Sequence, residues 1–464
     1  MKILLVRPPS FKMPIIIPNL GLGYLAASLR KNHHQVSILD CAQKKFDHDQ
    51  YRHYLAEEKP DIVGVQMYTC DFSSSKRCVD IAKAFNRKMI TIIGGPHPSG
   101  APALTMHMLK NADFAFAGEA EPGLPKLIQH IEFPDMEKID FIEGLIYRHR
   151  GQIVQNKRGH IHNLDDIPFP SWDLINPRAY PDAPHGTFSK RLPIAPIITS
   201  RGCPYQCTYC GVSVNAGRIF RMRSVHNIVE EIKYLQHSFG VREFHIEDDN
   251  FTLVRPRVME FCKKIQEEKI SMDWACTNGI RLDRLDKELL LNMEKAGCYS
   301  FSVGIESGSP KILADMKRDQ TLETMIEKME LIHASTKIRT TGFFMMGYPA
   351  ETREDIEKTI ALSLRLPLNR AQFSNFLPLP GTEIYERLIE DKKLNPESIP
   401  WDHYQNNRIV FSPEGISAKE LRRLMKKAFV RFYFRLPILA GLSKEIHSLN
   451  QFRTIIRRFF DIFR

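Results

Sequence analysis

Residues 200–213 read SRGCPYQCTYCGVS. Cys203, Cys207 and Cys210 are separated by three and then two residues, and Gly202 and Pro204 force the segment into a loop. Three thiolates this close can wrap one side of an iron–sulfur cube. Such cubes are ordinarily held by four Cys thiolates, so a set of three leaves one iron open to something other than protein. Two plainer readings compete. Free cysteines are most often buried packing residues, although a loop buries thiols poorly. Zinc sites come as two CxxC pairs or as Cys with His, and no second CxxC follows here.

A short apolar run, PIITS (196–200), delivers this loop and reads as a strand. Strand and helix patterns then alternate. Ile228, Ile232, Leu235 and Phe239 recur at helical spacing behind Ser224, an N-cap type. The further strand runs are REFHIED (242–248), DWACT (273–277), YSFSVGIE (299–306), RTTGFFMMG (339–347) and AQFSNFLPL (371–379). Six such units over 191–385 predict a partial (β/α)6 TIM-type barrel. Barrel chemistry sits at the carboxyl ends of the strands. Those ends carry Glu247, Asp248 and Asp249; Asn278 and Arg281; Gly304 and Glu306 in GIESGS; and Gly347, Tyr348 and Pro349. Each has a plain alternative: Asp248 or Asp249 caps a helix, Glu306 pairs with a basic neighbour, and Gly347–Pro349 is a turn. Cys262, Cys276 and Cys298 lie in helix or strand contexts and read as core residues.

Ahead of the barrel, KILLV (2–6), QVSILD (35–40), DIVGVQ (61–66), MITIIGG (89–95) and DFAFAGE (113–119) alternate with helical stretches. This predicts a doubly wound, flavodoxin-like parallel sheet over 1–142, with ligands at the carboxyl ends of its strands. GLGYLA (21–26) mimics a dinucleotide fingerprint, but a proline-rich stretch separates it from its strand, so Gly21 and Gly23 read as close-packing glycines. Residues 143–190 hold a hairpin pattern around Arg150–Gly151 and then a proline-rich linker. Residues 386–464 are helical by pattern and basic; beyond Lys419 the acids are Glu420, Glu445 and Asp461. This tail interleaves arginines with aromatics, which fits a cap over the barrel mouth with a solvated basic face, a membrane surface, or RNA.

At 464 residues, 43% hydrophobic and 26% charged, the chain is long enough for two or three ordinary globular domains. MKILLVRPPS lacks the apolar stretch of a signal peptide, and no run of about 18 apolar residues suits a membrane span. Nine cysteines without a regular framework fit a reducing cytosol.

The CxxxCxxC spacing, with Tyr209 before the last cysteine, resembles the radical SAM superfamily, in which LDDIPFPSWDL (164–174) is also a common phrase. The resemblance implies a 4Fe-4S cluster on Cys203, Cys207 and Cys210 whose open iron chelates S-adenosylmethionine (SAM). It further implies SAM contacts from Tyr209; from a carboxylate among Glu247, Asp248 and Asp249 to the ammonium; from Asn278 to the ribose; from Arg281 to the carboxylate; and from Gly304, Glu306 and Gly347 around ribose and adenine. The first domain resembles the cobalamin-binding domain that precedes many radical SAM barrels. This implies that Tyr68, Thr69, Gly94, Gly95, Pro96, Gly118 and Glu119 line a cobalamin site. The DxHxxG motif of His-ligated relatives is missing; its place is taken by SFKMPIIIPNL (10–20), which implies cobalamin without a protein His ligand. A sheet domain without cofactor stays open as an alternative, and His97 in the GG turn reads as structural.

On this resemblance the expected activity is methyl transfer to an unactivated carbon of a small-molecule substrate, lipid or otherwise hydrophobic if the tail is a guide. Oxidative cyclisation of the anaerobic magnesium-protoporphyrin ester cyclase type is a second expectation, and an RNA-modifying enzyme a third, although no nucleic-acid module is visible. An external electron donor of flavodoxin or ferredoxin type is implied, in the cytoplasm or at the inner face of its membrane.

Overall fold

The computed structural model describes residues 1–10, 16–134, 136, 138–181, 189–405 and 408–444. The first sheet is built from β1 (Lys2–Arg7), β2 (Gln35–Asp40), β3 (Ile62–Gln66), β4 (Ile90–Gly94), β5 (Phe114–Phe116), β6 (Leu145–His149) and β7 (Gln152–Gln155), in the order β2-β1-β3-β4-β5-β6-β7. The first five strands pair in parallel. Their order is the flavodoxin-like one, which aligns the strand ends toward one crevice. The hairpin that the sequence groups with the linker is part of this sheet: β6 pairs antiparallel with β5, Phe114 opposite Tyr147. Its apolar start, Leu145 to Tyr147, is buried and covers what would be an open sheet edge.

The helix Leu20–Lys31 holds the GLGYLA stretch, with Asn19 accepting from the Leu22 amide as N-cap. A Cβ on Gly23 would lie 2.6 Å from Ile175 and 3.0 Å from Pro170. Gly23 is therefore a packing glycine, pressed against the proline-rich linker rather than a strand.

The second sheet contains β8 (Ile194–Ile197), then, past the short ribbon β9 (Ser200–Arg201) and β10 (Arg221–Met222), β11 (Glu243–Ile246), β12 (Asp273–Ile280), β13 (Cys298–Glu306), β14 (Arg339–Met346) and β15 (Arg370–Asn375). Six strands lie side by side in chain order and in parallel, the partial barrel expected from the sequence. Cys262, Cys276 and Cys298 are buried in its outer core. β12 runs beyond DWACT through Asn278; its register with β13 shifts between Cys276 and Ile280, where Gly279 adopts φ +100°.

The helix Ala418–Tyr433 lays Leu421, Leu424, Ala428 and Phe432 against the barrel, and the Tyr433 hydroxyl donates to the Ala371 carbonyl at 2.8 Å. Lys419, Arg422, Arg423 and Arg431 stay exposed. The described helix of the tail is thus packed on the outer side of the barrel with a solvated basic face, not laid over the barrel mouth. FRTIIRRFFDIFR (452–464) lies outside the described residues. Among the described residues no helix is long and apolar enough to cross a membrane.

Candidate active site

The cysteine loop leaves β9 and returns through β10. Gly202 holds φ +84°, and a Cβ there would come within 2.3 Å of the Ile219 carbonyl. Only glycine lets the chain turn this tightly. The Cys203 amide donates to the Gly217 carbonyl at 3.3 Å and the Cys210 amide to that of Cys207 at 3.2 Å. Between the cysteines, the Thr208 amide donates to the Met316 carbonyl at 3.1 Å, and the Thr208 and Tyr348 hydroxyls meet at 2.9 Å. All three thiols are half-buried and unoxidised. Burial pushes Cys210 up to about 12, and the thiols of Cys207 and Cys203 and the Asp249 carboxylate add to it, so the loop gathers groups of one sign. Three soft thiols in one rigid loop suit a cluster.

The three acids after β11 have separate surroundings. Asp248 is buried and fully engaged: it accepts from the Thr199 amide at 2.6 Å and from the Thr199 and Ser200 hydroxyls, each at 2.5 Å. It fixes the root of the cysteine loop and does not offer a free carboxylate, which departs from its expected SAM contact. Asp249 accepts from the Gly202 amide at 3.1 Å, and burial raises its carboxyl to about 6. Glu247 faces β12, accepting from the Thr277 hydroxyl at 2.9 Å, while its carbonyl accepts from Asn278 Nδ2 at 2.8 Å.

The Arg281 guanidinium carbon lies over the Tyr205 ring of the cysteine loop, 3.6 Å from its centroid. Its Nε donates to Asp283 at 2.9 Å and one Nη2 to the Asp319 carbonyl at 2.7 Å, while Nη1 is buried with no partner among the described residues. Glu306 takes φ +66° at the end of β13, and burial pushes its carboxyl up against the pull of Arg318 and a hydrogen bond from Tyr209. Arg318 was not singled out by the sequence. It donates to the Gly304 carbonyl at 2.8 Å and lies 3.9 Å from the Cys207 sulfur. A Cβ on Gly304 would come within 2.5 Å of the Arg318 guanidinium. Gly347, at φ +87°, leaves room for Leu421 of the helix Ala418–Tyr433, and Tyr348 is buried.

In the first sheet, Gly95 takes φ +121° and its amide neighbourhood closes on Met67, while a Cβ on Gly94 would meet nothing within 4 Å. Gly94 is needed by no protein neighbour, so its missing side chain keeps a space open at the strand end. Pro96 opens the short helix Pro96–Gly100, and Gly118 donates its amide to Ser99 Oγ at 2.9 Å. Tyr68, 38% exposed, stands at the end of β3 within electrostatic reach of Glu247. Thr69 meets His97 Nδ1 at 3.3 Å. His97 is buried edge-on between Phe72 (5.0 Å) and Trp401 (4.9 Å), and burial lowers its imidazole to about 4. It is a neutral core histidine. Glu119 also departs from its expected role: its carboxylate pairs with Arg221 at 2.7 Å and Arg201 at 3.3 Å, the two arginines of the ribbon that carries the cysteine loop.

Two largely parallel sheets, joined at their strand-end loops by the Glu119–Arg221 pair and with a three-cysteine loop rooted at the end of the second, define the α/β architecture of the chain. Residues 197–363 match the Radical SAM superfamily and residues 11–128 the B12 binding domain. The chain is 30% identical to an uncharacterized methyltransferase of Pyrococcus horikoshii over 97% of its own length and 96% of that protein. It is 26% identical to the anaerobic magnesium-protoporphyrin IX monomethyl ester cyclase of Rubrivivax gelatinosus, over 90% and 75%. Its fold is similar to that of the radical SAM methyltransferase TsrM of Kitasatospora setae, solved with cobalamin and a [4Fe-4S] cluster bound, with a TM-score of 0.68 at 19% identity over 91% and 82% of the chains. The chain belongs to the radical SAM superfamily, in the group that carries a B12-binding domain. It is an enzyme whose cofactors are a 4Fe-4S cluster, SAM and cobalamin.

Proposed function

We propose that the enzyme transfers a methyl group from SAM to a carbon of a small substrate bound between the two sheets. Bound at their sites, the cluster with SAM supplies a 5′-deoxyadenosyl radical and cobalamin carries the methyl group. Cys203, Cys207 and Cys210 hold the cluster. The unpartnered Arg281 Nη1 is a ready donor for the SAM carboxylate. Glu247 and Asp249 are the carboxylates left for its ammonium, since Asp248 is engaged within the loop. Asn278, Gly304 and Glu306 flank the same strand ends, and Tyr209 and Arg318 cover the side of Cys207. The space at Gly94, at the strand ends that also carry Tyr68, Thr69, Pro96 and Gly118, takes cobalamin. The caged His97 is not a cobalt ligand. The electron comes from an external donor of flavodoxin or ferredoxin type.

The observation that carries this reading is the junction of the two sheets' strand-end loops by the Glu119–Arg221 and Glu119–Arg201 pairs, which sets the cysteine loop of one sheet beside the end of the other, where a Cβ on Gly94 would meet nothing within 4 Å. The full-length likeness to a methyltransferase supports methyl transfer. Cyclisation without methyl transfer is the second reading, supported by the likeness to the Rubrivivax cyclase. RNA and membrane readings draw no support from the helix Ala418–Tyr433, whose apolar face is spent on the barrel. Methyl-labelled SAM separates the first two: label in the product supports transfer, and substrate conversion without label overturns it in favour of cyclisation.

A further inference from the structure

Strand side chains alternate between faces. In β14 and β15, Phe344 and Phe373 stack at 5.3 Å, and Phe373 meets Phe432 of the covering helix at 6.2 Å, so these rings point out of the barrel. Their neighbours Thr341, Phe343, Gln372 and Ser374 therefore point in. A Cβ on Gly279 of β12 would lie 3.5 Å from the Phe343 ring, although β13 separates the two strands. That contact spans the inner face. In β13 the buried Phe301, Val303 and Ile305 belong to the outer core, which turns Ser300 and Ser302 inward.

The inner face of β13–β15 thus carries the hydroxyls of Ser300, Ser302, Thr341 and Ser374 and the amide of Gln372, beside Phe343 and Met345 and with Arg339 and Arg370 at the strand starts. Gln372 is exposed on it and donates to Ser374 Oγ at 3.2 Å; exposed Asn278 stands at its upper rim. An acyl or isoprenoid chain laid against this wall would strip water from these groups and return no hydrogen bonds. The aromatic tail, which made a hydrophobic substrate attractive from sequence, packs Phe432 and Tyr433 on the outside of the barrel and leaves Phe434 exposed, so it carries no information about the lumen.

We propose that the substrate is a water-soluble molecule with amide, hydroxyl or carboxylate groups, held by Gln372 and Ser374 with an unsaturated or short apolar part against Phe343. This rests on the reading of the barrel as the radical site. Discrimination against lipids follows from the unpaired groups they would leave.

The test uses the full chain, reconstituted without air with iron, sulfide and a corrinoid, in a preparation that slowly releases 5′-deoxyadenosine without substrate. Extract of the source cells is partitioned between water and chloroform–methanol, and each fraction is added with methyl-labelled SAM. The aqueous fraction is expected to stimulate 5′-deoxyadenosine release. Gln372→Leu, checked for unchanged iron and corrinoid content, is expected to need roughly 10- to 100-fold more of that fraction for half-maximal stimulation. Stimulation by the organic fraction alone, by neither fraction, or an unchanged requirement in Gln372→Leu overturns the proposal. Label is scored separately: aqueous stimulation without label in the product keeps the polar substrate and defeats methyl transfer.

Discussion

Glu119 accepts from Arg221 Nη1 at 2.7 Å across the junction of the two sheets, with both side chains buried. Glu119 follows Gly118 at the end of the first sheet's fifth strand, and Arg221 pairs across the ribbon with Arg201, two residues before Cys203. Arg201 in turn meets Glu121 at 2.7 Å. One ion-pair network therefore sets the cysteine loop against the cobalamin domain. Removing one partner of a buried pair strands the other's charge, at a cost of about 3–5 kcal/mol. Glu119→Ala is expected to lower the denaturation midpoint by that order and to lose iron, whereas Glu119→Gln, which keeps an acceptor for the Ile161 amide, loses less. Denaturant titration beside iron analysis checks this; equal midpoints for wild type and Glu119→Ala would remove the network from the account.

Gly94 and Gly95 are adjacent but predicted to fail differently. Gly95→Ala forces a Cβ to within 2.8 Å of the Met67 carbonyl at φ +121°. It should destabilise the apoprotein by about 1–3 kcal/mol. Gly94→Val meets open space and should leave the apoprotein melting point nearly unchanged while lowering bound corrinoid. A Gly94→Val protein that binds corrinoid at wild-type stoichiometry would show that the space serves another purpose.

Much of this was legible in the sequence because the signals are local. Each barrel strand is a short apolar run with a loop of unusual composition at its end, so the six strands and the cysteine loop are found without tertiary knowledge. The departures are tertiary. Nothing within EGLIYRHRGQIVQNK says that it will pair with β5. Asp248 and Asp249 are neighbours with the same side chain, and only the fold sends one into the Thr199–Ser200 turn and the other to Gly202. Glu119 stands where a cobalamin contact belongs by strand order, yet Arg201 and Arg221, far along the chain, claim it. Arg318, in an unremarkable KRDQ stretch, gains meaning only from Cys207 and Gly304 beside it. The one available signal was a cation soon after GIESGS.

Glu351 makes a pH prediction. Its Oε2 accepts from the Gly347 and Tyr348 amides at 2.6 and 3.0 Å, its Oε1 is buried without a partner among the described residues, and burial raises the carboxyl to about 8. The folded chain holds this proton more tightly than the unfolded chain, whose carboxyl titrates near its ordinary value of about 4.3. Its stabilisation is therefore complete below that value and is lost as pH rises toward 8. The loss is on the order of a few kcal/mol. Glu351→Gln removes the titration, so the difference in urea midpoint between wild type and variant should shift against the wild type between pH 5 and pH 8. Parallel midpoints would place the proton elsewhere.

The central claim is that three cysteines hold a cluster and leave one iron for SAM. The electron paramagnetic resonance spectrum of the reduced, anaerobically reconstituted protein, recorded with and without SAM, tests it most directly. A cluster signal that changes when SAM is added, and that vanishes in a variant with Cys203, Cys207 and Cys210 all replaced by Ala, is the predicted result. A cluster signal indifferent to SAM, or one that survives the triple replacement, would contradict it.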